Sequence, residues 1–308
     1  MLRKPIWTGV QVVFVVAAVW FAGYALWSQW GSVRTLLVTT HPAWGRLVLS
    51  CIPVLVAYAM LIELWRNLIA AWGEGGTLGR LPAARIWFIA NLGRYVPGKV
   101  WQIAAMGIMA QRQGVSAVTA TGASLVANLA NIASGFIVVL VAGAGAFRTD
   151  RGTQAGILLA AALGAGLLLL PPAMKWARPV VARLTGNRVR LPELPARAVW
   201  LAALGTTAAW VLYGIAFRVF AAAMIPTSAG AVSSYIASYT ASYLIGYLAL
   251  FAPGGLVVRE GMLVASLTGL GLLSAPEAWL MAIASRLWLT VLEVVPGFIF
   301  LLYRGDRS

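Results

Sequence analysis

Long apolar runs recur from one end of this chain to the other, separated by short polar stretches. Six of them have about the 20 residues that a helix needs to cross the hydrocarbon core of a bilayer. These runs are 6–27, 47–68, 117–147, 156–174, 199–224 and 275–303. The pattern predicts an all-α polytopic membrane protein with six full crossings. We interpret 6–27 as a retained helix, because it is longer than a typical signal-peptide core.

Two further apolar runs are interrupted in the middle by helix-breaking residues. Run 84–110 contains Pro97-Gly98, and run 233–267 contains Pro253-Gly254-Gly255. Each run can form a kinked crossing, two crossings, or a re-entrant helical hairpin that enters and leaves on one side. Single crossings would place the basic loop 175–197 outside, against the positive-inside rule. We therefore predict re-entrant hairpins, with pairs of full spans as an equally compatible alternative.

The loop cations also predict the topology. With hairpins, both termini and the basic loop 175–197 are cytoplasmic in a multi-pass protein of the cell (inner) membrane. The loop cations left on the outer side are then Arg34, Arg46, Arg148 and Arg151.

The two breaks also suggest an internal repeat. Pro97 and Pro253 lie 156 residues apart (253 − 97), about half of the 308-residue chain. Each half reads span, span, broken run, span, so we predict one membrane domain, 1–308, with inverted pseudo-repeat halves 1–150 and 151–308. Broken helices at matching positions of two halves point to a transport site near the membrane midplane. A chance coincidence of two Pro-Gly pairs is the alternative.

Composition narrows the range of possible chemistry. The chain is 61% apolar and 10% charged, and its net charge is +15. We expect no nucleic acid partner, because most cations lie in short loops, where they contact anionic lipid; the 175–197 loop is the main such site. One cysteine and one histidine argue against a disulfide, a zinc site or a catalytic triad. With no acidic cluster or nucleotide motif, we expect neither metal nor cofactor.

The first break places two cations inside an apolar run. Arg94 and Lys99 flank Pro97-Gly98, and the helix that restarts there presents free N–H groups and a positive dipole end. This arrangement predicts a pocket for a lipid headgroup phosphate at membrane depth. Asn91, one turn before Arg94, and Gln102 are expected to line the groove. The alternative is that both cations extend to the cytoplasmic headgroups.

Five charged residues of the second half complete the predicted headgroup site. One of them, Arg218, lies late in the fifth crossing. Arg259 and Glu260 follow the second break, and Arg286 and Glu293 share one face of the last crossing because they are seven residues apart. Charges within membrane segments are costly and usually functional. The alternative for Arg259 and Glu260 is a structural ion pair with Glu293 or Arg286.

A tyrosine stripe precedes the second break. Tyr235, Tyr239, Tyr243 and Tyr247 recur every four residues, beside a row formed by Ser234, Ser238, Ser242 and Gly246. The small row indicates close helix packing. The hydroxyls of Tyr239 and Tyr243 are candidates for lining a polar groove.

The sequence "GRYVPGKVWQ", followed by "PGGLVVREG", resembles the transmembrane, flippase-like family of lysylphosphatidylglycerol synthases over nearly the whole chain. The resemblance implies a lipid-translocating fold with re-entrant helices. In the first motif it assigns functional positions to Arg94, Pro97, Gly98, Lys99 and Trp101. In the second it assigns Pro253, Gly254, Gly255, Arg259 and Glu260. The family commonly has glycine where this chain has Val257. No synthase domain follows Ser308, so we do not expect this chain alone to aminoacylate lipid.

These observations favour a lipid translocator that is not an enzyme. The substrate would be a phosphate-bearing phospholipid or a polyprenyl or glycolipid, and a lipid-modifying or glycosyl transferase is a possible partner. The alternatives are a membrane-embedded lipid or glycan transferase and a non-transporting scaffold for a partner synthase.

Overall fold

The computed structural model describes residues 41–72, 78–92, 100–143, 151–184, 195–225, 230–249 and 257–302, with isolated residues between them. Helices fill nearly all of this described part. They are α1 (Trp44–Ala71), α2 (Arg80–Leu92), α3 (Val100–Gln111), α4 (Ala117–Gly143), α5 (Arg151–Leu184), α6 (Ala196–Met224), α7 (Val232–Leu248), α8 (Val258–Gly269) and α9 (Ala275–Leu302).

Four of these helices, α1, α4, α6 and α9, are long and apolar enough to cross a membrane. They coincide with four of the six predicted crossings, which confirms the prediction of an all-helical protein with helices able to span a membrane. The predicted crossing 156–174 lies within α5. The predicted crossing 6–27 lies outside the described residues.

The apolar runs form helices whose buried faces follow the helical repeat. In α1 the buried residues include Val54, Tyr58, Ile62, Trp65 and Ile69, spaced three or four apart. The opposite face of α1 also carries large apolar side chains, with Ile52, Leu55 and Val56 exposed. A helix that is apolar on both faces is typical of one surrounded partly by protein and partly by lipid.

Each interrupted run forms two short helices. α2 has 13 residues and α3 has 12, and the two pack against each other. α7 has 17 residues and α8 has 12, and these also pack against each other. At 1.5 Å per residue, each helix of the first pair is about 20 Å long or less, shorter than the hydrocarbon core of about 30 Å. Whether the pairs form re-entrant hairpins stays a prediction.

Close helix packing depends on small residues. A Cβ atom added at Gly214 of α6 would lie 2.5 Å from Cα of Ile236 in α7. One added at Gly205 of α6 would lie 2.6 Å from the Leu64 side chain in α1. In the small-residue row of α7, Ser238, Ser242 and Gly246 are buried. These contacts bring α1, α4, α6 and α7 around a common interior.

Candidate functional site

The interior contains a cavity of about 120 Å³ between helices from both halves of the chain. Pockets that hold drug-sized ligands are usually 300–1,000 Å³, so this cavity suits a headgroup better than a whole lipid. Its lining is aromatic and polar. The lining residues are Tyr58, Leu61, Trp65, Trp87, Asn91, Gln102, Met106, Ser124, Ala127, Asn128, Asn131, Trp210, Tyr213, Tyr239, Tyr243, Tyr247, Leu289 and Glu293.

The predicted groove residues Asn91, Gln102, Tyr239 and Tyr243 all belong to this lining. Asn91 lies at the end of α2 and Gln102 at the start of α3. The Gln102 side-chain amide donates a hydrogen bond to the Asn91 side-chain oxygen. This bond joins the two short helices of the first broken run on the side that faces the cavity.

A polar face on α4 forms another wall. Trp65 Nε1 donates to Ser124 Oγ at 2.9 Å, and Asn128 Nδ2 donates to the Ser124 carbonyl at 2.8 Å. The Tyr247 hydroxyl donates to Asn128 Oδ1 at 2.8 Å. This network connects α1, α4 and α7.

The sequence interpretation missed Asn128 and Asn131, although a signal was present. Ser124, Asn128 and Asn131 recur at four and three residues within an apolar crossing. That spacing places them on one face of the helix, where polar side chains in a membrane segment need partners. The Asn131 carbonyl also accepts a hydrogen bond from Trp210 Nε1 at 2.8 Å.

Glu293 is the one carboxylate among the described lining residues, and it is 6% exposed. Its Oε1 accepts a hydrogen bond of 3.2 Å from the Tyr58 hydroxyl. Tyr58 in turn contacts Trp87, with ring centroids 5.1 Å apart. The Glu293 carboxylate of α9 is therefore bonded to an aromatic pair, Tyr58 and Trp87, from the first half of the chain.

Arg259 lies behind the tyrosine stripe rather than in the cavity lining. It is 8% exposed, and its guanidinium carbon lies 5.2 Å from the ring centre of Tyr243 and 5.6 Å from that of Tyr239. Among the described residues, its Nη2 atom has no hydrogen-bond acceptor. Cation–π contact stabilises a buried guanidinium only in part. Within the described part of the chain, no carboxylate forms a salt bridge with Arg259, and an anion at Nη2 would supply the missing partner.

Glu260 has other partners. Its Oε1 accepts from Arg286 Nη1 at 2.5 Å, and its Oε2 accepts from the Val257 backbone N–H at 2.7 Å. The sequence left two roles open for Glu260, headgroup binding and a structural ion pair. The ion pair with Arg286 corresponds to the second role. Valine has no side-chain acceptor, so only the glutamate half of a capping box exists here. Glu260 and Arg286 therefore connect α8 to α9, and neither lines the cavity.

The start of α8 has an unusual backbone. Val257 has φ 72° and ψ −46°, a positive-φ conformation near that of a γ-turn, which is strained for a β-branched residue. Gly255 also has a positive φ, 67°, and a Cβ there would lie 2.6 Å from the Gly246 carbonyl oxygen. A Cβ at Gly246 would lie 2.7 Å from Cβ of Arg259. The two glycines therefore allow α7 and α8 to approach at the break.

Arg218 lies apart from the cavity. Its Nη1 donates to Ser228 Oγ and its Nη2 to the Ser228 carbonyl, both at 3.2 Å. Its guanidinium also lies over the ring of Tyr235, 4.9 Å from the centroid. Neither Arg218 nor Tyr235 lines the cavity.

Several predicted site residues lie outside the described residues. They are Arg94, Pro97, Gly98, Lys99, Pro253 and Gly254. Trp101 belongs to the first turn of α3. Within the described ranges, no group of three or more His, Cys, Asp or Glu residues could hold a metal ion.

No family model matches this chain, and no curated protein matches it. The resemblance to the lysylphosphatidylglycerol synthase membrane family thus rests on the two motifs alone.

Proposed function

We propose that this protein is a membrane lipid translocator that holds the headgroup of a phosphate-bearing lipid in the cavity between its two halves. The observation that carries the proposal is a cavity lined by aromatic rings and polar side chains between apolar helices. A headgroup that crosses the hydrocarbon core must exchange its hydration for other hydrogen bonds. Amide, hydroxyl and carboxylate groups of the cavity offer such bonds.

Arg259 is the proposed phosphate-binding residue of the second half. It is a buried cation beside two rings that line the cavity, and Glu260 is engaged by Arg286 and the Val257 N–H. We propose Arg94 and Lys99 as the corresponding cations of the first half. In this arrangement Glu260 and Arg286 maintain the position of Arg259 and do not contact the headgroup.

We further propose that the fold is an inverted repeat with two re-entrant hairpins and six crossings in the inner membrane. Contacts in the two halves support this proposal in pairs. The proposed repeat relates α2 to α7, α3 to α8 and α4 to α9. The contact between α4 and α7 then corresponds to the contact between α9 and α2. The contact between α3 and α4 likewise corresponds to the contact between α8 and α9. The 156-residue offset between Pro97 and Pro253 also relates Trp87 to Tyr243 and Asn91 to Tyr247, and all four of these side chains line the cavity.

Topology can be tested with single cysteines in a Cys51→Ala background. Arg183→Cys should be protected from an impermeant thiol reagent added outside intact cells, and Arg148→Cys should be labelled. Labelling at 183 without labelling at 148 would reverse the proposed orientation.

Transport can be tested by reconstituting the protein in liposomes and measuring the movement of fluorescent phospholipids between leaflets. Arg259→Met removes the cation and keeps most of the apolar stem. A charge-assisted hydrogen bond contributes about 1.5–3 kcal/mol, so its loss should slow movement by about tenfold to a hundredfold. Arg183→Ala, an exposed residue of α5, is the matched control and should keep the parent rate.

The transport experiment separates two failures. A parent protein that moves no lipid would refute the translocator. An Arg259→Met variant that moves lipid at the parent rate would refute Arg259 as the phosphate-binding residue.

A further inference from the structure

Four rings of the cavity lining form a continuous aromatic series, Trp87, Tyr58, Tyr213 and Trp210. Neighbouring ring centroids lie 5.1, 6.1 and 6.1 Å apart, and the planes of successive rings are inclined by 50°, 62° and 66°. Parallel stacked rings would cover each other's faces. Rings that are inclined at every step present faces in several directions, as the rings of an aromatic cage do.

The charge of the lining favours a cation. Among the described lining residues, Glu293 is the carboxylate, and none is a lysine or an arginine. Glu293 is 6% exposed, and its Oε1 accepts a hydrogen bond from Tyr58, a member of the aromatic series. The faces of aromatic rings are also negative. A cation against these rings is attracted by both, whereas an anion there is repelled by both, so this space suits a part of the headgroup other than the phosphate.

The polar side chains of the lining are already bonded within the protein. The Gln102 amide donates to the Asn91 side-chain oxygen, and the Asn128 amide donates to the Ser124 carbonyl. Asn128 Oδ1 also accepts from the Tyr247 hydroxyl at 2.8 Å. A primary ammonium group needs several acceptors for its N–H groups and would compete with these bonds. A quaternary ammonium group has no N–H, so ring faces and a carboxylate charge are sufficient for it.

The size of the cavity agrees with such a group. The volume is about 120 Å³. An apolar cavity of about 150 Å³ holds a molecule of benzene. A trimethylammonium group is compact and has an outer surface of C–H bonds, so it fits a space of this size and contacts ring faces on several sides.

The neighbouring arginine restricts where the cation lies. The guanidinium of Arg259 is 5.2 Å from the ring centre of Tyr243 and 5.6 Å from that of Tyr239. These two rings thus already contact a positive charge, and a second cation against them is less favourable. The aromatic series and Glu293 are therefore the better position.

We infer that the cavity binds a quaternary ammonium group through the faces of the aromatic series and the negative charge of Glu293. The inference rests on the proposed function where it names the source of that group, the trimethylammonium end of a choline-type phospholipid headgroup. A free choline-type solute carries the same group, and the experiments below separate the two sources.

The first experiment titrates three soluble probes against the purified protein in a detergent without a choline headgroup. Choline carries the quaternary group, its neutral carbon isostere has a tert-butyl group in that place, and ethanolamine has a primary ammonium group. The unfolding midpoint is recorded, because a ligand that binds the folded state raises it. We expect choline to reach half-saturation at a concentration about tenfold or more below that of either other probe.

Two variants test the position of the site. Glu293→Gln removes the charge and keeps the shape, so it should weaken choline binding by about tenfold. Tyr213→Leu removes one ring of the series and should also weaken choline binding. Trp176→Leu is the matched control, because it removes a ring of α5 that is 82% exposed, and it should bind as the parent does. Each variant is compared with its own ligand-free midpoint, and the comparison of probes on the unchanged protein needs no variant.

Three results would overturn the inference. Equal binding of choline and its neutral isostere would show that the cavity responds to shape and not to charge. Ethanolamine binding as tightly as choline would show that acceptors for N–H groups are accessible after all. Choline affinity at the parent level in both Glu293→Gln and Tyr213→Leu would place the choline site elsewhere.

The second experiment measures leaflet exchange of fluorescent phosphatidylcholine and phosphatidylglycerol in liposomes. Faster exchange of phosphatidylcholine supports the lipid headgroup as the source. Choline binding with equal exchange of the two lipids refutes that source. Choline binding without exchange of either lipid refutes translocation and leaves a site for a free choline-type solute. Lipid exchange without choline binding refutes the quaternary ammonium site alone.

Discussion

The two broken runs are interrupted by similar residues but are held together by different interactions. In the first run, α2 packs against α3, and a hydrogen bond between two neutral amides, Gln102 and Asn91, joins them. In the second, α8 is held by backbone contact at Gly246 and Gly255 and by the ion pair from Glu260 to Arg286 on α9. The second run also contains the strained Val257. The comparison shows that two runs interrupted by similar residues can attach their second helices by different interactions.

The largest expected effect comes from the ion pair. Arg286→Leu leaves the Glu260 carboxylate, whose side chain is 12% exposed, without its cation. Removing one partner of a buried pair costs about 3–5 kcal/mol, and the partial exposure here favours the lower value. The free energy of unfolding in micelles should fall by about 3 kcal/mol. Arg183→Leu should change it little, and adding Glu260→Gln to Arg286→Leu should recover part of the loss. A neutral Arg286→Leu would show that the attachment of α8 does not depend on the pair.

The next effect concerns the glycine contact. Gly246→Ala places a Cβ 2.7 Å from that of Arg259 and should destabilise the protein by about 2 kcal/mol. Gly261→Ala is the matched control on α8, because no atom lies within 4 Å of its added Cβ. It should stabilise by up to about 1 kcal/mol, since alanine is the better helix former. Equal shifts in the unfolding midpoint would contradict close packing at Gly246.

A smaller effect is expected from backbone strain. Val257→Gly removes a Cβ at φ 72°, where the strain is about 1–3 kcal/mol, and glycine's greater freedom in the unfolded chain offsets part of this. The net result should be a gain of about 1 kcal/mol. Val258→Gly, one residue later and helical, should lose about 0.5 kcal/mol. Destabilisation by Val257→Gly would mean that valine packing outweighs the strain.

The smallest effect is expected in the first run. Asn91→Ala and Gln102→Ala each remove the amide contact, and interhelical hydrogen bonds in membranes average about 0.6 kcal/mol. A double-mutant cycle of the two changes should give a coupling energy of that size. A coupling energy near 3 kcal/mol would make the two broken runs equally strongly attached and remove the difference between them.

The sequence predicted the features of the fold that depend on local composition. Membrane thickness sets the length of a crossing, so four crossings could be located to within a few residues. The site was harder, because partners come from distant parts of the chain. The sequence left two roles open for Glu260, headgroup binding and a structural ion pair, and its pairing with Arg286 depends on how α8 packs against α9. The tryptophans of the cavity lining were also missed, since tryptophan occurs 14 times and its frequency does not show which rings face inward.

Tyr239 and Tyr243 belong to two environments at once, because each ring borders the cavity and also contacts the Arg259 guanidinium. A group that enters the cavity and turns either ring changes the surroundings of that cation. Thermodynamic reciprocity then requires an anion at Arg259 to change affinity in the cavity by the same factor. Through the two tyrosines, a group held in the cavity and an anion at Arg259 would each change the affinity for the other, and the sign of that coupling determines whether the two bind cooperatively.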